Sequence, residues 1–267
     1  CGHFVMTTYP SVAQARSVGE LTAALAAAKP GTPNLVGDLL GSWNMPALYL
    51  DAWADSRSTS LLLSALRVPV DTDVVAGLRD LFAQGAVGDT NPCLDGTYDD
   101  NNLAPEIFGT GNADALLGYS ERLHYAVQTK AQPGKLDSSS ILIASAPLGE
   151  GTDPIWFIDA FVTPRSFDKS VPEEQQSARR AGAKRFISYM NDAQTFAWIH
   201  QSKDLGADAA PRYLLPATRS AFGVPAIAQD PIMQQIRPLL DQGTFFPQHQ
   251  IPEIRRVMRD QVLSGVR

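Results

Sequence analysis

Two groups of residues in this sequence have the chemistry to attack or hold a small molecule. The first is Cys1, with His3 two positions on, which an extended run places on the same face. The second is Tyr119-Ser120-Glu121-Arg122, followed by His124 and Tyr125, a polar burst directly after the apolar run that ends at Leu117-Gly118. A thiol attacks as its thiolate, and free cysteine is mostly protonated near neutrality. A nearby carboxylate can take that proton when burial raises its pKa toward the working pH. Glu121 is the candidate base. Its plainer role is to open the following helix, where an acid suits the dipole. Tyr98, inside the loop 91–102, and Asp159, inside Trp156-Phe157-Ile158-Asp159, could line a pocket but are individually ordinary packing or strand residues.

The elements that must position these groups follow from periodicity and caps. Residues 1–8 read as a strand. Ser17 and Glu20 form a capping box for a helix through Leu21, Ala24 and Leu25, stopped by Pro30-Gly31-Thr32-Pro33. A short apolar segment, 35–40, precedes a helix over 45–53, and a longer helix runs from Asp71 or Asp73 to Gly85. The polar loop 91–102 is followed directly by the strand 113–118, which runs into the polar burst; open α/β sheets present their sites in this way, beyond the ends of core strands. After the linker Gln132-Pro133-Gly134-Lys135, strands are predicted at 141–144 and 155–162. Beyond Pro164 the chain turns helical: a helix opening at Pro172-Glu173-Glu174 with an apolar stripe at Ala183, Phe186, Ile187 and Met190, its continuation through Trp198, and helices at 232–240 and 254–262. Strands and helices alternating first and helices dominating later predict a mixed α/β protein. The boundary between two lobes is expected at 147–154, giving units 1–148 and 149–267.

Composition narrows the function classes. With 267 residues, 44% of them hydrophobic, the chain can bury a sizeable core. A net charge of -6 without any basic block argues against nucleic acid and anionic membrane as partners, and no apolar run is long enough to span a bilayer. The four histidines and two cysteines have no metal-ligand spacing, so neither a structural metal nor a cofactor is expected. Opening on Cys1 rather than Met is expected to reflect a cleavage, a trimming or a renumbering, and no leader peptide is read at this end.

Several stretches together resemble one family. Ala113-Asp114-Ala115-Leu116-Leu117-Gly118-Tyr119, Ala146-Pro147-Leu148-Gly149 and Phe186-Ile187-Ser188-Tyr189-Met190-Asn191-Asp192 are similar to type II periplasmic solute-binding proteins. Gly118-Tyr119-Ser120-Glu121, Cys1-Gly2-His3-Phe4, Tyr49-Leu50-Asp51-Ala52 and Cys93-Leu94-Asp95-Gly96-Thr97-Tyr98 more specifically resemble thiaminase I. The resemblance implies a two-lobed α/β fold, with the N-terminal part of the first lobe outside this chain, and a secreted or periplasmic protein. It implies a cysteine nucleophile at Cys1 activated by Glu121, with Tyr119, Tyr98 and Asp159 binding an aminopyrimidine. Phe157 stands where the family pattern has a tyrosine, which leaves the carboxylate contact of Asp159 in place and removes a hydroxyl. His3 would tune the thiol.

Other readings of the same residues stand beside this one. A non-catalytic solute-binding protein for a cationic or heteroaromatic ligand uses the same scaffold, anchored by lipid at Cys1 in one version. Self-cleavage before Cys1 would make it an N-terminal nucleophile and leave a separate fragment completing the first lobe. Cys93 is expected to pack beneath its loop or to pair with a cysteine outside this chain, and His124 to lie at the surface or to cap the following helix.

Overall fold

The computed structural model describes residues 1–28, 33–58, 60, 62–99, 102–128, 136–163, 171–202, 204–206, 209–246 and 251–267. The predicted helix stop at Pro30–Thr32, the linker 132–135, Pro164, Asp100 and His249 lie outside them.

At the centre is a four-stranded mixed sheet in the order β2-β3-β1-β4: β1 (Phe4–Thr7), β2 (Leu35–Val36), β3 (Ala115–Gly118) and β4 (Leu142–Ser145). β1 runs antiparallel to both neighbours, with Val5 opposite Leu117 on one side and Ala144 on the other. β2 is parallel to β3. β1 and the first three residues of β3 are buried throughout, as strands covered on both faces must be. A second, two-stranded parallel sheet joins β5 (Ile155–Trp156) to β6 (Thr244–Phe245).

Local chemistry sets most of the helices. Helix α1 (Pro10–Ala13) opens on a proline, and α2 (Val18–Ala26) is capped by Ser17, whose Oγ accepts from Glu20 N–H at 3.2 Å. The Glu20 carboxylate reaches back to the N–H of Arg16, one residue before the expected partner. Helix α3 (Asn44–Ser56) is buried on nearly every side. A short α4 (Leu62–Ala65) precedes α5 (Thr72–Phe82), which is capped by Asp71 and drawn out to Gly85 by a 3₁₀ turn. Where the sequence predicts a direct step from loop to strand, the structure inserts α6 (Leu103–Gly109). Helix α7 (Arg122–Val127) follows β3. Then come α8 (Glu173–Met190), α9 (Ala193–His200), α10 (Pro225–Ala228), α11 (Pro231–Leu239) and α12 (Ile251–Val266).

The core lies between the central sheet and α2, α3, α5, α6 and α7, with Phe4, Met6, Tyr49, Phe82 and Phe108 among its largest side chains. The C-terminal helices return to it: α11 packs on β4, and α12 packs on α5 and α3.

Two predictions change in this fold. The strand expected over 155–162 pairs only at Ile155–Trp156; Ile158, Phe161 and Val162 continue as exposed chain with no strand beside them among the described residues. The stripe on α8 does not face a core: no residue of that helix is buried, and Phe186 is 53% exposed.

Candidate functional site

The two ends of the central sheet's polar fringe meet. Residues 1–3 continue the line of β1 past its named start. Ala146 N–H donates to His3 O at 3.1 Å, Phe157 N–H donates to Cys1 O at 2.7 Å, and the Cys1 nitrogen donates back to Phe157 O. Between them Gly2 has no room for a side chain, because a Cβ there would run into the Trp156 ring. The leading segment is therefore laid across both sheets, with Cys1 exposed at its tip and its thiol free.

Gly118-Tyr119-Ser120-Glu121 comes to the same place from β3. Ser120 is buried, and its hydroxyl donates to Tyr213 O at 2.6 Å, fastening the turn to a residue that itself holds a positive φ of 51°. Glu121 opens α7, as its plainer role predicts, and is partly exposed. Burial lowers the pKa of the Cys1 α-amine, and the charges that oppose the shift are Glu121 first and Asp159 second. Glu121 and Asp159 are thus the acids whose charge reaches the Cys1 nitrogen.

His3 lies beneath. It is 2% exposed, and its Nδ1 sits 2.8 Å from Asp51 Oδ2, itself buried on α3. An ionised carboxylate only accepts, which places the proton of this pair on Nδ1. The other oxygen of Asp51 accepts from Ile155 N–H at 3.0 Å. The imidazole stacks on Tyr119, with centroids 5.0 Å apart and planes at 27°, and meets Phe157 edge-on at 6.3 Å. Burial, then the neighbouring Glu121, pushes the Tyr119 hydroxyl well above the usual phenol range, so it stays a neutral donor. His3 Nε2 has no hydrogen-bond partner among the described residues, and the His3 ring helps line a cavity of about 20 Å³ together with Asp38, Asn44, Tyr119 and Arg122.

His3 and Tyr119 stack two residues from Cys1, and Glu121 and Asp159 are near enough for their charge to act on the Cys1 nitrogen. Tyr98 is not part of this group: it is buried in its own loop, where burial first, and then Cys93 and Asp95, push its hydroxyl up to about 12. Cys93 is buried below that loop with its Sγ 3.7 Å from Leu35 O, and burial raises the thiol to about 12. His124, expected at the surface or as a cap of its helix, lies in the last turn of α7 and is buried, its Nδ1 beside Ala210 O and Pro211 O. Asp51 reads in the sequence as a helix-end acid; the signal that marks it is an ionisable residue inside the apolar run Tyr49-Leu50-Asp51-Ala52-Trp53, since acids are rarely fully buried unless paired. Among the described residues no group of three or more His, Cys, Asp or Glu is placed to hold a metal.

This is the fold of the two-lobed type II periplasmic binding proteins. Thiaminase I of Clostridium botulinum, solved in complex with thiamin, superposes with a TM-score of 0.68 at 18% identity over 99% of this chain and 70% of that one. Thiaminase I from Bacillus thiaminolyticus gives 0.67, 18%, 99% and 70%. The sugar-binding protein MalE of Xanthomonas citri gives 0.63 at 15% identity, covering 100% of this chain and 63% of its own. No protein-family model and no curated protein matches the sequence. The likeness first carried by short motifs thus holds in three dimensions, at the level of the fold.

Proposed function

We propose that the protein is a thiaminase I-like transferase, with Cys1 as nucleophile, Glu121 as its base and a thiamine-like heteroaromatic cation as substrate. The observation that carries the reading is the exposed, free thiol of Cys1, held against Phe157 where the leading strand meets the second sheet, two residues from Asp159. A plain solute binder has no use for a thiol in that position. The Cys1 proton passes to Glu121, and the sulfur then attacks the methylene that joins pyrimidine to thiazolium. The carbon–nitrogen bond breaks with its electron pair going to the ring nitrogen, so a neutral thiazole leaves. An amine, thiol or water afterwards displaces the sulfur and releases the pyrimidine. Asp159 and the faces of Tyr119 and Phe157 supply the carboxylate and aromatic contacts that suit an aminopyrimidine and a cation.

The measurement is intact mass after incubation with thiamine without an added acceptor. One pyrimidine-methyl adduct on Cys1, lost in Cys1→Ala and slowed at least 100-fold in Glu121→Gln, is expected. An unmodified protein whose melting temperature still rises with ligand returns the second reading, a solute-binding protein, which the missing hydroxyl at Phe157 favours. Fold does not choose between them.

The partners that fit are a small molecule and a further stretch of polypeptide completing the first lobe, the latter supported by the run 158–162, without a strand beside it among the described residues, and by the uncovered α8. Secretion or periplasmic export accords with the class of neighbour. None of the helices in the described residues is long and apolar enough to cross a membrane.

A further inference from the structure

We propose that Asp51 is the positioning residue of this site, one buried carboxylate that holds the strand carrying Cys1 in register with the strand leading to Phe157 and Asp159. The inference rests on the reading of Cys1 as nucleophile and concerns how its surroundings are held.

Each oxygen of Asp51 has a separate task. Oδ2 takes the Nδ1–H of His3 at 2.8 Å, and Oδ1 takes the backbone N–H of Ile155 at 3.0 Å. His3 is two residues from Cys1; Ile155 is two from Phe157 and four from Asp159. The segments Cys1–His3 and Ile155–Phe157 are more than 150 residues apart in sequence, lead into or out of different sheets, and among the described residues are hydrogen-bonded to each other through the Cys1–Phe157 bonds at the exposed end. At the inner end, Asp51 joins them. The ring it orients is also the surface on which Tyr119 stacks, so the same carboxylate sets the height of the turn that presents Glu121. Removing it leaves an imidazole N–H and a backbone N–H buried without an acceptor, and the pairing at Cys1 loses its inner anchor.

One helical turn along α3, Asp55 provides a built-in comparison. Its oxygens accept from Leu148 N–H at 3.0 Å and Asp153 N–H at 2.9 Å. It clamps the same crossing segment, and it touches neither the Cys1 strand nor Tyr119. A purely structural role for these acids predicts that both substitutions act alike. A positioning role predicts that only Asp51 reaches the thiol.

The test is the pH dependence of Cys1 alkylation by iodoacetamide in the folded protein, a readout that needs no substrate; Cys93 is buried and held as the thiol. The ionisable groups around His3 are Asp51, Asp38, Tyr119 and Arg122, so the whole profile from pH 5 to 10 is recorded. In the wild type, and in Asp55→Asn whatever its change in melting temperature, the midpoint is expected above that of free cysteine, near 8.5, because the carboxylates of Glu121 and Asp159 disfavour a thiolate beside them. In Asp51→Asn, where the strand end is no longer held beside those acids, it is expected to fall to that value, with about a tenfold gain of rate at pH 7. His3→Leu should reproduce the fall. His3→Asn, whose amide can still donate to Asp51, should restore at least half of the shift, and this pair decides the matter if Asp51→Asn does not fold. Wild-type profiles in both Asp51→Asn and His3→Leu overturn the positioning role. A Glu121→Gln profile identical to wild type overturns instead the reading of Glu121 as base, so the two failures are told apart.

Discussion

A residue with no side chain sets how close the candidate nucleophile lies to the second sheet. Gly2 separates Cys1 from His3, and the Trp156 ring occupies the space that any Cβ there would need. Trp156 is 4% exposed and packs on Phe4 with ring centroids 5.7 Å apart, so it has nowhere to retreat. Gly2→Ala is therefore overpacked rather than strained in its backbone, and overpacking of this kind costs about 1–3 kcal/mol. A lowered urea midpoint with an unchanged slope is the expected result. Because the leading segment must lift off Trp156, the Phe157–Cys1 bonds should weaken as well, and the Phe157 amide should exchange with deuterium faster than in wild type. An alanine variant as stable as wild type, with unchanged exchange at Phe157, would mean that the close approach at Gly2 carries no weight.

Helix α3 is the element on which the site is assembled, and it does so with acids spaced i, i+4 on one face. The crossing segment from β4 to β5 lies on that face. Gly149 permits the contact, since a Cβ there would collide with Asp55 and Ser56. Burial first, then the charge of Asp51, raises the Asp55 carboxyl to about 8, against the lowering effect of the N–H groups of Leu148, Asp153 and Gly149. The unfolded value is near 3.9. Between those two values the native state binds the extra proton, so stability falls as pH rises through the window and levels off above about 8. The slope for one such group is at most about 1.4 kcal/mol per pH unit. Urea midpoints at pH 5, 6, 7 and 8 should decline in wild type and flatten in Asp55→Asn; equal slopes in the two proteins would show that Asp55 titrates normally. Much at this scale is legible in the sequence. The Ser17 and Asp71 caps, the buried run ending at Gly118, and the α3 and α5 helices follow from local rules, as does the meeting of a polar turn with a strand end. Asp51 and His3 are different: their partnership spans 48 residues and depends on which strand lies over which helix, and no periodicity encodes that. The truncated β5 has the same cause, because a strand's length is set by what pairs with it.

On the scale of the whole molecule, the described structure is unequal on its two sides. Around the central sheet the large apolar side chains of β1, β3 and α3 find a core. Around α8 and the run after β5 they do not: Val162 is 79% exposed, Trp198 58% and Phe186 53%, and Phe161 rests only edge-on against Phe186 at 5.3 Å. An 18-residue helix with no buried residue is not held by its own packing, and clustered exposed aromatics mark contact surfaces. The thiaminase I chains extend beyond this one, which covers 70% of each. Residues 158–162 also expose backbone N–H and C=O groups of the kind a further strand pairs with. The chain by itself should therefore self-associate, bind a hydrophobic dye such as ANS, and exchange the amides of α8 almost at the intrinsic rate. The double variant Phe186→Ser, Trp198→Ser touches only exposed positions, so its urea midpoint should stay within about 0.5 kcal/mol of wild type. Sedimentation should then return a monomer, and dye fluorescence should fall severalfold. If the double variant associates and binds dye as the wild type does, the aromatics of α8 and α9 are ordinary surface, and the covering partner has to be sought on another face.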